Sequence, residues 1–237
     1  MRFFITLSSF LLLSSATAQS PTSCSATPND AAVVEFGWAL SSYLDQFYSQ
    51  KPLNNSFLDS ATNSATAEYV FNFQGIQRRN LLAVRAAQIL ASRIPNVHSP
   101  GCNFTFPPSP DGQTFVQNAL TVERAASGAF VGLAAYTRSP EVSFLMSRLA
   151  SERAAHAYYL AAQQMPLDFL ANSTSLIQAY SPQHVLRSGN QPGNLGQFLH
   201  GCLRAPPSPC GLPLGIGPLG GSFGPTSASI TTRPTMC

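Results

Sequence analysis

The sequence predicts an all-α protein, a four-helix bundle with a long crossover between helices two and three and a disordered Pro/Gly-rich C-terminal tail. Three observations predict it. Four stretches repeat apolar side chains at the alternating three- and four-residue steps that line one helix face. Between the second and third of them, the run from Pro95 to Asp111 is full of proline, serine and glycine and is too long for a tight turn. From about Ser188 onward, glycine and proline hold roughly a third of positions, a composition that buries too little apolar surface to offset the entropy of ordering.

The first eighteen residues stand apart from the fold. Arg2, the apolar run from Phe3 to Leu13 and the small-residue end Ala16-Thr17-Ala18 have the layout of a cleaved secretory signal, and the run is too short to span a bilayer. The expectation is a secreted, extracellular chain starting near Gln19, with no membrane span. Residues 19–28 form a polar lead, 29–187 the bundle, 188–203 a segment that docks Leu195, Phe198 and Leu199, and 204–237 the tail.

Helix one is expected from about Asp30 to Gln50, with Val33, Gly37, Leu40, Leu44 and Phe47 at helical spacing. Lys51-Pro52 ends it. The second helical region begins near Phe57, firms after Ala65 and stops before Pro95, with Phe73, Ile76, Asn80, Val84, Ala87, Leu90 or Ala91, and Ile94 on its inner face and Gln77 on or beside it. Helix three spans about Asp111 to Thr137 on the stripe Phe115, Ala119, Val122, Ala126, Ala129 and Leu133, with Glu123 at the border. The joint Arg138-Ser139-Pro140 is short enough to make helices three and four antiparallel neighbours. Helix four runs from Val142 to Gln163. Ser139 caps it, Pro140 fits its first turn, and Glu141 suits its positive end.

Helix four also carries the most evident chemistry. Its steps through Val142, Leu145, Leu149, Glu152, His156, Tyr159 and Gln163 put a carboxylate and an imidazole one turn apart on one face, close enough to share a proton or a metal ion.

Composition narrows the functional classes. Only 10% of residues are charged and the net charge is +3, with Lys51 the sole lysine and no basic run, which argues against a nucleic-acid partner. The five cysteines fit no zinc pattern, and a secretory route suits two disulfides and one odd thiol. Asn54-Asn55-Ser56, Asn103-Phe104-Thr105 and Asn172-Ser173-Thr174 are acceptor patterns for glycans, each between helical stretches.

Several local motifs resemble one known family. Glu123-Arg124-Ala125-Ala126-Ser127-Gly128-Ala129-Phe130-Val131-Gly132 resembles E-N-x-G-V-x-A-Y-x-G, and His156-Ala157-Tyr158-Tyr159-Leu160 resembles H-A-x-x-L. Tyr43-Leu44-Asp45-Gln46-Phe47-Tyr48 is similar to L-E-x-x-F-Y, Cys102 to Pro107 to C-x-Y-x-F-P, and Phe198 to Cys202 to F-I-x-x-C-P. The family is that of the secreted ferritin-like proteins of fungi related to stress and sexual development, with the plant desiccation-related proteins as cousins. The resemblance spans roughly Asn29 to Cys202. A Cys102–Cys202 bridge is expected on this basis, joining the crossover to the end of the docking segment.

In di-iron members of that fold, helices one and three each give a Glu, and helices two and four each give an E-x-x-H. Carried onto this chain, the set is degenerate. Helix one has Ser41 or Ser42 at the ligand position, helix two has Gln77 and Asn80, helix three keeps Glu123, and helix four keeps His156 with Arg153 three residues before it and Glu152 one further back. The expectation is a buried cluster of Glu123, Glu152 and His156, faced by Gln77 and Asn80, with Arg124 or Arg153 at the rim and no cofactor. The alternative is a residual mononuclear site in which the same three residues hold one iron or manganese ion. The resemblance thus implies a non-enzymatic structural or binding protein linked to stress or development, with the extracellular matrix or cell wall as a candidate partner. A metal-dependent oxidase with a mononuclear site and a carrier of a small apolar ligand are the alternatives.

Overall fold

The computed structural model describes residues 26–164 and 178–207. The expected signal segment, Asn172, Cys24, Cys210, Cys237 and the expected tail beyond Pro207 lie outside them. Helix α1 spans Pro28–Ser49. It begins two residues earlier than the sequence suggests because Thr27 is its cap. The Thr27 hydroxyl accepts from the Asp30 amide, and the Thr27 amide donates to the Asp30 carboxylate at 2.7 Å, a reciprocal box.

The second helical region is three pieces, α2 (Asn55–Leu58), α3 (Ser64–Ala67) and α4 (Tyr69–Ala91). Asn63 and Glu68, at φ 60° and 51°, take the left-handed conformation that ends a helical run. On the inner face of α4, Ala83 is buried where Val84 was expected, and Val84 is half-buried. Helix α5 spans Gly112–Ala134, capped by Asp111 on the Thr114 amide at 2.8 Å, and α6 spans Pro140–Gln164. Ser139 Oγ accepts from the Val142 amide at the start of α6. Pairs α1/α4 and α5/α6 pack most extensively, and the stretch between Ala91 and Gly112 crosses from one pair to the other. The chain is therefore an all-α bundle with the expected crossover.

Two tethers hold the ends of the bundle. Buried Asp30 accepts from the hydroxyl of Thr137 and from the amides of Arg138 and Ser139, fastening the start of α1 to the α5–α6 joint. Cys102 in the crossover is bridged to Cys202, with 5.2 Å between Cα atoms and a separation of 100 residues. A loop of that length is worth up to about 4–5 kcal/mol on the chain-entropy account. The Thr105 amide also donates to the Phe198 carbonyl, and Tyr43 packs on Phe104 and Phe106.

Beyond α6, the sequence suggested no further helix, yet two short ones occur, α7 (Pro182–Val185) and α8 (Gly196–Leu199). Their Val185 and Leu199, with Leu195, are buried in the core. Pro206 is buried and the Asn29 side chain donates to the Pro207 carbonyl, so packing continues past the expected tail boundary at 204. Among the described residues, no helix is long and apolar enough to cross a membrane.

Candidate functional site

The inner stripe of α6 decides what the bundle holds at its centre. Its buried members include Val142, Met146, Leu149, Arg153, His156 and Leu160, while Leu145, Glu152 and Tyr159 are half-buried. The expected stripe shares Val142, Leu149 and His156 with this one but had Leu145, Glu152 and Tyr159 where the structure has Met146, Arg153 and Leu160. Gly37 of α1 offers a physical reason. A Cβ there would sit 2.8 Å from Met146 Cε, so the missing side chain makes room for Met146 to face inward and turns Arg153 inward with it.

Three helices then meet at one oxygen, Glu123 Oε1, and the fourth joins through Arg153. Tyr48 OH of α1 donates to it at 3.0 Å, His156 Nδ1 lies 3.3 Å away, and Arg153 Nη1 lies 3.5 Å away. The same Nη1 donates to Asn80 Oδ1 of α4. All five side chains are buried. In α4, α5 and α6, these polar residues fall between two apolar clusters, one reaching from Leu40 to Leu133 and Leu149, the other built on Phe47, Phe73, Phe115 and Leu160.

Charge in this setting is held by pairing. Burial alone drives the Glu123 carboxyl up, but the Arg153 guanidinium, the His156 contact and the Tyr48 hydroxyl outweigh it and hold the carboxyl below the usual carboxylate range. Burial first, then the Glu123 charge, raises the Tyr48 phenol well above its ordinary value, so Tyr48 stays a donor.

The fold family implies two metal ions, and these residues do not fit them. A dinuclear site of this kind needs about six groups, mostly carboxylates. Here one carboxylate and one imidazole converge, and a permanent cation already lies against the carboxylate. Five further buried atoms, Glu123 Oε2, His156 Nε2, Asn80 Nδ2, Arg153 Nε and Arg153 Nη2, have no hydrogen-bond partner among the described residues. Three of the five carry N–H donors, which repel a cation rather than ligate it. Among the described residues, no three His, Cys, Asp or Glu side chains are grouped to hold a metal.

The structure brings Glu123, His156 and Asn80 together and leaves out other expected members. Glu152 is corrected: it lies on the flank of α6 and pairs with Arg148 at 3.4 Å, one turn back on the same helix. Gln77 is corrected too, since its amide donates to Ser49 Oγ at the surface. Ser41 is buried but bonds its own helix at the Gly37 carbonyl, and Ser42 is half-buried. Arg153 stands at the centre and not at the rim. Tyr48 was missed, although it closes the L-E-x-x-F-Y resemblance. The sign for Arg153 was its position three residues before His156, where the family pattern has a ligand. Asn54, which caps α2 at the Phe57 amide, and Asn103 are exposed.

The glycines of the helix-three motif have a separate task. A Cβ on Gly128 would meet the Gln178 carbonyl oxygen at 2.1 Å, and one on Gly132 the Tyr180 carbonyl oxygen at 1.8 Å. They let the segment from 178 to 181 lie directly on α5, where the Tyr180 amide donates to the Gly128 carbonyl at 2.9 Å.

An antiparallel bundle of two helix pairs, joined by a long crossover and closed around a carboxylate and an imidazole, defines a ferritin-like protein. A family model described as a ferritin-like domain matches residues 29–165, and the chain belongs to that family. Searches of curated proteins and of solved structures found no match.

Proposed function

We propose that this chain is a secreted, non-enzymatic ferritin-like protein of the fungal stress- and development-related branch, in which a degenerate di-iron centre has become part of the structural core. The observation that carries the reading is the buried Arg153 guanidinium 3.5 Å from the buried Glu123 carboxylate. A guanidinium remains charged at every physiological pH and supplies, from the chain itself, the positive charge that iron or manganese supplies in metal-binding relatives. The Cys102–Cys202 bridge suits an oxidising compartment, and exposed Asn54 and Asn103 suit glycan attachment there. The rings of Phe47, Phe73 and Phe115 fill one half of the interior, which weighs against a carrier of apolar guests. Function then lies at the surface, with matrix or wall components as candidate partners.

Metal analysis of the purified secreted protein, before and after chelation, tests the reading. The expected result is substoichiometric iron, manganese and zinc and unchanged helicity after chelation. Stoichiometric metal that disappears in Glu123→Ala would establish the mononuclear site instead. Sequencing of the secreted N-terminus should begin near Gln19.

A further inference from the structure

On the outer side of α5, one residue from Glu123, the chain forms a cleft of about 500 Å3 that the buried centre does not explain. Its floor is Val122, Ala125, Tyr180 and Leu195, all buried. Its walls are the outer face of α5 and the turn from 189 to 197. The volume falls within the roughly 300–1,000 Å3 of small-molecule sites, but such sites are mostly apolar with few polar groups, and this one is dense in amides. Among the described residues, Asn118, Asn190, Gln191, Asn194 and Gln197 line it, with Arg124 the single charged group and no acid.

The polar groups are set in opposite senses. The Asn118 amide nitrogen donates to the Pro108 carbonyl at 2.9 Å and to Ser109 Oγ at 3.0 Å, which commits both of its protons and leaves its oxygen to accept. Asn190, exposed on the cleft wall and without a side-chain hydrogen bond among the described residues, supplies a second amide oxygen. Arg124 is half-buried and makes no ion pair among the described residues. Two amide acceptors call for hydroxyl donors, and a guanidinium with no acid beside it among the described residues calls for a carboxylate.

We propose that this cleft binds a sugar acid, a ring of hydroxyls bearing one carboxylate, with Arg124 on the carboxylate and Asn118 and Asn190 accepting from hydroxyls. This rests on the reading of the chain as a binding protein of the extracellular space, where acidic polysaccharides and their fragments are candidate sources. The apolar floor meets the C–H face of the ring. The glycines Gly128 and Gly132 make the site possible, because they seat the Gln178–Tyr180 segment at the foot of the cleft.

The test is calorimetric titration of the full mature protein, after chelation and with its metal content measured, against galacturonic acid, trigalacturonate and the neutral galactose counterparts. The acid should bind about tenfold or more tightly than the neutral sugar, as a charge-assisted contact implies. Arg124→Gln should erase that preference, Arg124→Lys should restore part of it, and Asn190→Ala should weaken both sugars. Equal binding of monomer and trimer identifies a free sugar acid as the ligand, whereas tighter binding of the trimer identifies a polymer. No binding of either acid at about 10 mM, or an acid preference that survives in a helical Arg124→Gln protein, overturns the proposal. Metal found in the protein would refute the reading of the centre without touching this result, and sugar failing to bind a metal-free protein would refute only the cleft.

Discussion

Arg153 of α6 and Glu123 of α5 meet across antiparallel neighbours at 3.5 Å, with both side chains fully buried. Such a pair is not a simple gain in stability, because each charge loses its water and the mutual attraction must offset that. Its consequence is interdependence. Neither charge is tolerable at that depth alone, and Tyr48, Asn80 and His156 supply hydrogen bonds or contacts that a lone pair of charges would lack.

Arg153→Leu should therefore destabilise by about 3–5 kcal/mol, since it leaves the Glu123 charge unpaired. The double substitution Glu123→Leu with Arg153→Leu should recover much of that loss. Urea unfolding of the four proteins in a double-mutant cycle measures the coupling. Additive losses would mean that the two charges do not interact.

Acid stability follows from two carboxylates with lowered values. Burial pushes Asp30 up, but the Thr137 and Thr27 hydroxyls and the amides of Thr27 and Ser139 outweigh it and hold Asp30 well below the usual carboxylate range; Glu123 is also held below its ordinary value. For both groups, the unfolded chain binds protons more readily than the folded one. Their stabilisation is complete above the unfolded values near 4 and is lost as pH falls through the folded values. The urea midpoint should be flat from neutrality to about pH 5 and fall below about pH 4. Asp30→Asn should lower stability by about 1–3 kcal/mol at pH 7 and flatten part of that acid slope, because it leaves amide donors of the α5–α6 joint without their charged acceptor.

The bundle was legible because its long helices carry apolar stripes tens of residues long, and Asp111 and Ser139 mark two of their starts in plain capping chemistry. The rotation of α6 was not. Stripes through Glu152 and through Arg153 share Val142, Leu149 and His156, and the choice between them lies in Gly37 of a different helix, whose absent side chain accommodates Met146. The breaks at Asn63 and Glu68 were hidden for a similar reason, since neither residue type announces a left-handed backbone as glycine does. In α7 and α8, a single turn each has too few residues to show a period.

Two glycine substitutions should act in opposite directions. Gly132→Ala puts a methyl group 1.8 Å from the Tyr180 carbonyl oxygen, where backbone and not a pliable side chain must yield, and should cost about 1–3 kcal/mol or more. Gly75→Ala, inside α4 with nothing within 4 Å of the new methyl, should gain about 0.5–1 kcal/mol through helix propensity. Thermal unfolding of both reads the difference. A neutral Gly132→Ala would show that the 178–181 segment does not rest on α5.

Arg153→Glu probes the centre most sharply, because it restores the E-x-x-H spacing of α6 at the one position where the chain carries a cation. It would gather two carboxylates and the His156 imidazole between α5 and α6, with the Asn80 amide opposite. Without metal, two buried like charges repel, and the variant should lose at least about 3 kcal/mol and raise the apparent value of one carboxyl. Hard oxygens with an imidazole suit manganese or iron, so added Mn2+ should restore stability, by about 2.7 kcal/mol at a hundredfold excess over its dissociation constant. The wild-type melting temperature should not respond to the same ion. Equal responses of wild type and variant would show that Arg153 does not stand in the place of the ion, and a variant that folds stably yet ignores every divalent ion would show that the remaining geometry has drifted too far to ligate one.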